Sequence, residues 1–218
     1  MMTNKQAEQR RFSWAPGQPL PADLVKATLT HAHASASETP IILVDGLSGA
    51  GKSTFALALR DALNGMAGGY TWRIIGPDEW YRGWQGLAGA QSITETVMAD
   101  LRAGRIATYR PWDWEASTQR DPKQVLPGVP TIVEGCGALT ERSCALADYV
   151  IWIEAEGGEP VRYDRAITRD GDTYRPHWRT WAEQDDARLL VDQPQELADA
   201  FVLRSEEHTS ELQSPRTI

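Results

Sequence analysis

The sequence has few of the features that mark secreted, membrane-spanning or nucleic-acid-binding proteins. Its 218 residues include two cysteines, Cys136 and Cys144, which are too few for a disulfide framework or a zinc site. No apolar run is longer than a strand, and the first twenty residues do not have the pattern of a signal peptide. The net charge is −8, with no basic stripe that could bind nucleic acid. We therefore expect a cytoplasmic protein that binds neither membrane nor nucleic acid.

Length and composition favour a single α/β domain. The sequence is 41% hydrophobic and 24% charged, as is usual for globular proteins, and its length allows one sizeable core. We divide it into a polar N-terminal arm with a short helix (1–39), a main domain (40–203) and a tail (204–218). The tail resembles the in-frame translation of a sequencing adapter, so we treat it as non-native and leave it out of the fold prediction.

Buried strands alternate with helices along the main domain. Residues 41–45 are four aliphatic residues and an aspartate, which is typical of a strand buried on both faces. Phe55, Leu59 and Leu63 form one face of a helix that Gly65 ends. Further strands are predicted at 71–75, 106–109, 131–134, 149–153 and 200–203, and further helices at 22–37, 160–170, 178–190 and from a capping box at Ser92 to Gly104. This order predicts a three-layer α/β/α fold with a mainly parallel sheet.

A phosphate-binding pattern lies between the first of these strands and its helix. Residues 46–53 are Gly-Leu-Ser-Gly-Ala-Gly-Lys-Ser, a complete P-loop. Its glycines let backbone N–H groups surround a phosphate, and the helix N-terminus adds partial positive charge. Lys52 is placed to reach the β- and γ-phosphates, and the Ser53 hydroxyl to ligate Mg²⁺. We predict binding of ATP and Mg²⁺, with nucleotide contacts from Gly46, Ser48, Gly49, Ala50, Gly51, Lys52, Ser53 and Thr54.

Charged residues follow the later strands. Glu134 ends an otherwise apolar strand, where a carboxylate is costly unless it is paired or binds metal. Arg162, Arg165 and Arg169 are spaced i, i+3, i+7, so they lie on one stripe of a helix and could neutralise a transferred phosphoryl group. Spacing alone equally allows a solvated charged face, and Asp78 alone could be a helix N-cap.

Taken together, these clusters resemble the uridine kinase and phosphoribulokinase group of P-loop kinases. Asp78-Glu79-Trp80-Tyr81 is similar to the group's Asp-x-Phe-Tyr element, and 162–170 to its arginine-bearing lid helix. Residues 111–114 with Arg120 are similar to its acceptor loop, and 132–135 to its strand ending in Glu-Gly. The resemblance runs from 41 to 170 in consistent order. The guanine-binding Asn-Lys-x-Asp element of GTPases is absent from the sequence.

The resemblance implies a kinase that transfers the γ-phosphoryl group of ATP to a hydroxyl of a small metabolite. It implies catalytic roles for Lys52, Asp78, Arg165 and Arg169, magnesium ligation by Ser53 and Glu134, and acceptor binding by Tyr81, Trp112, Asp113, Arg120 and Arg162. The expected acceptor is a nucleoside. The alternatives are a pantothenate- or phosphosugar-type acceptor and a non-catalytic ATP-binding regulatory protein.

One departure concerns the acceptor. The group's base-reading histidine is missing from the acceptor loop, where this sequence offers Ser117 or Thr118. Tryptophans on the acceptor side could stack on a base or a sugar, or could be packing residues. They are Trp80, Trp84, Trp112 and Trp114.

Overall fold

The centre of the molecule is a parallel sheet of six strands. A computed structural model describes residues 9–66 and 71–205. Within these ranges the strands are β1 (Arg10–Trp14), β2 (Ile41–Gly46), β3 (Arg73–Ile75), β4 (Ala107–Tyr109), β5 (Trp112–Asp113), β6 (Thr118–Gln119), β7 (Lys123–Val125), β8 (Thr131–Glu134), β9 (Tyr149–Ala155) and β10 (Ala200–Arg204). The central sheet has the order β1-β10-β9-β2-β8-β3, and every pair in it is parallel. Antiparallel pairs β4–β7 and β5–β6 form two small ribbons.

Helices cover both faces of the central sheet. They are α1 (Ala22–His33), α2 (Lys52–Gly65), α3 (Leu87–Arg102), α4 (Glu141–Leu146), α5 (Gly158–Tyr174), α6 (Trp178–Asp192) and α7 (Pro194–Leu197), with 3-10 turns at Pro77–Glu79 and Arg175–His177. Ile42 and Val44 of β2 pack in a core with Phe55, while Ile41 and Leu43 pack in a second core on the opposite face. The predicted three-layer α/β/α fold with its parallel sheet is confirmed. None of the helices within the described ranges is both long and apolar enough to cross a membrane.

The predicted start of α3 is wrong. The helix begins at Leu87, five residues before Ser92, and its first turn closes through the Ala90 amide on the Gly86 carbonyl at 3.0 Å. Ser92 lies inside the helix and its hydroxyl donates to the Gly89 carbonyl at 3.1 Å. A reciprocal capping box of the kind expected at Ser92 occurs at Thr140, before α4.

The predicted domain boundaries also need correction at both ends. Residues 10–14 are not a loose arm, because they pair along the whole length of β10 as the edge strand of the central sheet. Trp14 is buried, with its ring 5.5 Å from that of Phe55. The last strand runs through Arg204, and the Ser205 amide donates to the Trp14 carbonyl at 3.0 Å. The remainder of the predicted tail, residues 206–218, lies outside the described residues.

Candidate active site

The carboxyl ends of the central strands open into a pocket of about 1150 Å³. Because parallel strands all point the same way, the residues that follow β2, β3 and β8 meet at one edge of the sheet. The pocket is lined by P-loop residues, by residues of α5 and by a set of aromatic side chains. Of the predicted nucleotide contacts, Ser48, Gly49, Gly51, Lys52, Ser53 and Thr54 line the pocket. Gly46 and Ala50 are buried outside its lining.

Two glycines give the P-loop its conformation. Gly49 has φ of 76°, and a Cβ there would lie 2.1 Å from the carbonyl oxygen of Arg162, so the loop can lie against α5 only with glycine at this position. Gly51 has φ of 94° and is the N-cap residue of α2. The loop thus ends at a helix N-terminus, where backbone N–H groups and the helix dipole favour a phosphate.

Lys52 is buried beneath this loop. Its Nζ donates to the Leu47 carbonyl at 3.1 Å and to the Cys136 Sγ at 2.9 Å. Burial lowers the pKa of Lys52, but Cys136, through its charge when ionised and its hydrogen bond, and the carboxylates of Glu134 and Asp45 outweigh burial, so the pKa is raised. Burial raises the pKa of the Cys136 thiol to about 12.

Ser53 and Asp78 line the pocket. Glu134, the last residue of β8, is outside the pocket lining and interacts electrostatically with Asp78 and Lys52. Loss of solvation raises the pKa of both Glu134 and Asp78, and Asp78 raises the pKa of Glu134 further, while Lys52 and Arg169 act in the opposite direction on both. These oxygen ligands fit Mg²⁺, which is commonly held by one or two carboxylates together with substrate phosphates and water. Over the described ranges no group of three or more His, Cys, Asp or Glu residues could hold a metal by itself.

The arginine stripe of α5 is divided between two tasks. Arg165 and Arg169 line the pocket, where Arg165 Nη1 donates to the Gly49 carbonyl at 3.4 Å. Arg162 is buried instead: its Nη1 donates to the Ser48 carbonyl at 3.0 Å and its guanidinium lies 5.8 Å from the Trp178 ring centroid. The expectation that Arg162 binds the acceptor is therefore corrected, since its guanidinium supports the P-loop.

Of the predicted acceptor loop (111–114 with Arg120), Trp114 lines the pocket and the other residues do not. Asp113 accepts hydrogen bonds from the amides of Glu115 and Ala116 and forms an ion pair with Arg120 at 2.8 Å, so both charged side chains stabilise the β5–β6 turn. Trp112 is half-buried on the same hairpin and does not line the pocket. The structure therefore does not support acceptor binding by these three residues. Tyr81 does line the pocket, and its hydroxyl donates to the Cys136 carbonyl at 2.6 Å.

A buried ionic cluster behind the P-loop was not foreseen from the sequence. Arg188 Nη1 donates to Asp45 Oδ2 at 2.6 Å, and Asp185 Oδ2 accepts the Ser48 amide at 3.0 Å. Burial lowers the pKa of Arg188, but Asp45 and Asp185 outweigh it and raise the pKa. Asp185 and Arg188 are i, i+3 on α6, a spacing that also occurs on exposed helix faces, so only the fold shows that they are buried.

Aromatic side chains form a second part of the pocket lining. We call this set the aromatic wall: Tyr81, Trp84, Trp114, Tyr174, His177 and Trp181. The Trp84 ring is nearly parallel to those of His177, 4.4 Å away at 11°, and Tyr174, 5.3 Å away at 17°. Trp114 lies 4.7 Å from Trp84. The sequence resemblance ended at Asp170, so the three members beyond it were missed, although the nine tryptophans of the sequence were a signal.

The chain is similar to known proteins in structure only. No family model and no curated protein matches the chain. Among solved structures, a possible uridine kinase from Bacillus stearothermophilus matches with a TM-score of 0.58 and 20% identity, over 83% of this chain and 95% of that one. A candidate fructose transport system kinase from Silicibacter sp. TM1040 matches with a TM-score of 0.55 and 17% identity, over 83% and 97%. The chain has the P-loop kinase fold. The P-loop sequence lies between β2 and α2, and α5 carries the arginine stripe that resembles the lid helix of the uridine kinase group.

Proposed function

We propose that the protein is a kinase that transfers the γ-phosphoryl group of ATP to a hydroxyl of a small uncharged metabolite, with a nucleoside as the acceptor. The observation that carries this proposal is the position of Asp78. Its carboxylate lies in the same pocket as the P-loop and the aromatic wall, and it interacts electrostatically with Lys52. A phosphate site, a candidate base and an apolar acceptor site are thus held together in one pocket.

Each group has a distinct role in the proposed transfer. The P-loop amides and Lys52 hold the phosphates, and Arg165 and Arg169 neutralise charge on the transferred group from the lid helix. Asp78 accepts the proton of the attacking hydroxyl, and its raised pKa makes it a better base than a fully solvated aspartate. Ser53 and Glu134 would hold Mg²⁺, which would supply further neutralisation of phosphate charge.

The composition of the aromatic wall favours a nucleoside over the anionic alternatives. A phosphosugar or a pantothenate-type carboxylate needs a cationic partner beyond those that hold the ATP phosphates. Lys52, Arg165 and Arg169 have that phosphate role in the proposed transfer, and the fourth cation of the pocket lining, Arg204, lies against Gly51 of the P-loop. Arg120, the cation expected on the acceptor side, is paired with Asp113 on the hairpin. Flat aromatic faces bind bases and the apolar faces of sugars. A neutral sugar is the second candidate, because it would stack on the same rings.

The proposal is tested by ADP release and by one substitution. The protein with Mg²⁺ and ATP is assayed against nucleosides, neutral sugars, phosphosugars and pantothenate, and we expect turnover with a nucleoside. Asp78→Asn keeps the shape of the side chain but cannot accept the proton, so transfer should fall by about 10²–10⁴-fold while calorimetry shows little change in ATP affinity.

Asp61→Asn is the matched control, because Asp61 is exposed on α2 and pairs with Arg60 at 2.8 Å. It should leave transfer unchanged. If Asp78→Asn transfers at the original rate, Asp78 is not the base. ATP binding without turnover on any acceptor would contradict the proposal and favour a nucleotide-binding regulatory protein.

A further inference from the structure

All the polar groups of one P-loop residue, Ser48, are bound by the lid helix and by α6. Its amide donates to Asp185 Oδ2 at 3.0 Å, its carbonyl accepts from Arg162 at 3.0 Å, and its hydroxyl is 2.7 Å from the hydroxyl of Tyr174. Backbone and side chain of Ser48 therefore attach the phosphate loop to α5 and α6, which also supply aromatic residues to the pocket.

Tyr174 connects this loop to the aromatic wall. Its hydroxyl is bonded to Ser48, and its ring is nearly parallel to Trp84 at 5.3 Å. Trp84 in turn stacks on His177, three residues after Tyr174. The Tyr174 side chain is buried, so a shift of its hydroxyl cannot be absorbed by solvent. One side chain thus contacts both the phosphate end and the acceptor end of the pocket.

A break in the lid helix separates Tyr174 from the pocket-lining arginines. Gly171 has φ of 61° and ψ of −141°, so regular helical geometry ends before it and resumes on a different axis. Tyr174 and the 3-10 turn that contains His177 lie beyond the break, next to α6. This segment can change its packing without moving Arg165 or Arg169, because the two parts are joined at a single glycine.

We propose that Tyr174 is a positioning residue that couples the P-loop to the aromatic wall, so that nucleotide binding changes the packing around Trp84. The inference rests on the proposed function, because it requires the P-loop to bind a nucleotide. An O–H···O bond of 2.7 Å weakens steeply when its atoms separate, so a displacement of Ser48 is passed to the Tyr174 ring or breaks the bond. Either outcome alters the surface against which Trp84 packs.

The experiment uses Mg²⁺ with ADP as the probe and tryptophan fluorescence as the readout. The change caused by Mg–ADP is measured in the full chain and in Trp84→Phe, and the difference between the two is the Trp84-dependent change. Each comparison is then repeated in Tyr174→Phe, which keeps the ring and removes the hydroxyl. Tyr163→Phe is the matched control, because Tyr163 is another lid-helix tyrosine whose hydroxyl accepts from Arg175 and has no contact with Ser48.

We expect a Trp84-dependent change that survives in Tyr163→Phe and is mostly lost in Tyr174→Phe. The affinity for Mg–ADP, measured by calorimetry, should change by less than about tenfold in Tyr174→Phe, the scale of one neutral hydrogen bond. The inference is overturned, with the proposed function intact, if Mg–ADP binds but Trp84 does not respond, or if Tyr174→Phe retains the full response. Absence of Mg–ADP binding to the unchanged protein would overturn both.

Discussion

At the scale of single residues, carboxylates in and around the pocket are less well solvated than they would be in the unfolded chain. Loss of solvation raises the pKa of Asp78, Glu134 and Asp185. The opposite holds for Asp113 on the hairpin, where hydrogen bonds from the Ala116 amide and from Arg120 lower the pKa. The raised pKa values belong to carboxylates beside the P-loop, and perturbed pKa values of this kind are common at binding and catalytic sites.

Asp78→Asn should therefore stabilise the protein at neutral pH. Because the folded-state pKa of Asp78 is above its unfolded value, the ionised carboxylate costs stability at neutral pH, and this cost disappears as pH falls through the folded pKa. Melting temperatures of the two proteins should differ at pH 7 and converge in acid. Asp113→Asn should instead destabilise the protein at neutral pH. The folded-state pKa of Asp113 is lowered, so its ionised carboxylate contributes stability at pH values above its unfolded-state pKa. Equal melting temperatures for Asp78→Asn and the unchanged protein at pH 7 would contradict the prediction.

Arg169 should affect the pH dependence of kcat/KM on the acid side, where Asp78 becomes protonated. Lys52 and Arg169 lower the pKa of Asp78, whereas loss of solvation and Asp170 raise it. Replacing Arg169 with Gln removes one of the two opposing charges, so the acid limb of kcat/KM should move to higher pH. Arg179→Gln, on an exposed face of α6 beside Glu183, should leave the limb in place. If the acid limb does not move in Arg169→Gln, Arg169 does not influence the pKa of the group that sets the limb, and the prediction is wrong.

The local environment of a residue was easier to predict from the sequence than its ion-pair and hydrogen-bond partners. The P-loop spacing identifies Lys52 and Ser53, and the apolar strand before Glu134 marks that carboxylate, because in both cases the local pattern determines the environment. Arg120 and Arg162 have the right charge for an acceptor site, but one forms an ion pair with Asp113 and the other is buried against Ser48. Such pairings depend on residues from other elements, which no local pattern contains.

At the scale of elements, the strands buried on both faces of the central sheet were predicted better than the start of α3. Runs of aliphatic residues such as β2 and β8 are buried on both faces, so their composition alone marks them. The start of α3 depends on a glycine turn at 83–86, whose Gly86 amide donates to the Gly83 carbonyl, and the stronger-looking signal at Ser92 was misleading. The break inside α5 also depends on a glycine, Gly171, whose conformation the sequence does not show.

Gly171→Ala should destabilise the protein through its backbone. A Cβ at Gly171 would meet no atom within 4 Å, so the cost comes from φ of 61° with ψ of −141°, which alanine rarely adopts. We expect a loss of about 1–3 kcal/mol in the free energy of unfolding by urea. Gly65→Ala, in α2 with open space around it, should instead be neutral or stabilise by up to about 1 kcal/mol. Equal changes in the free energy of unfolding for Gly171→Ala and Gly65→Ala would show that the conformation of Gly171 does not contribute to stability.

At the scale of the whole molecule, the first and the last strand of the described chain meet at one edge of the central sheet. β1 pairs with β10 through all five of its residues, and the Ser205 amide continues the pairing to the Trp14 carbonyl. The other five strands of this sheet were predicted from the sequence. The edge strand β1 was not, because residues 10–14 are polar apart from Phe12 and Trp14, and a short alternation of this kind is weak evidence for a strand.

Trp14→Ala tests whether this edge belongs to the cooperative unit. Trp14 is 4% exposed, packs on Phe55 and donates its Nε1–H to the Gln18 carbonyl at 2.9 Å. Its removal should cost about 3–5 kcal/mol, and for a chain of this size each kcal/mol lowers the melting temperature by about 2–4 °C. Trp114→Ala is the matched control, because Trp114 is 39% exposed at the mouth of the pocket, and it should cost less than about 1 kcal/mol. If Trp14→Ala melts no earlier than Trp114→Ala, the edge strand adds nothing to global stability, in agreement with the predicted placement of residues 10–14 outside the main domain (40–203).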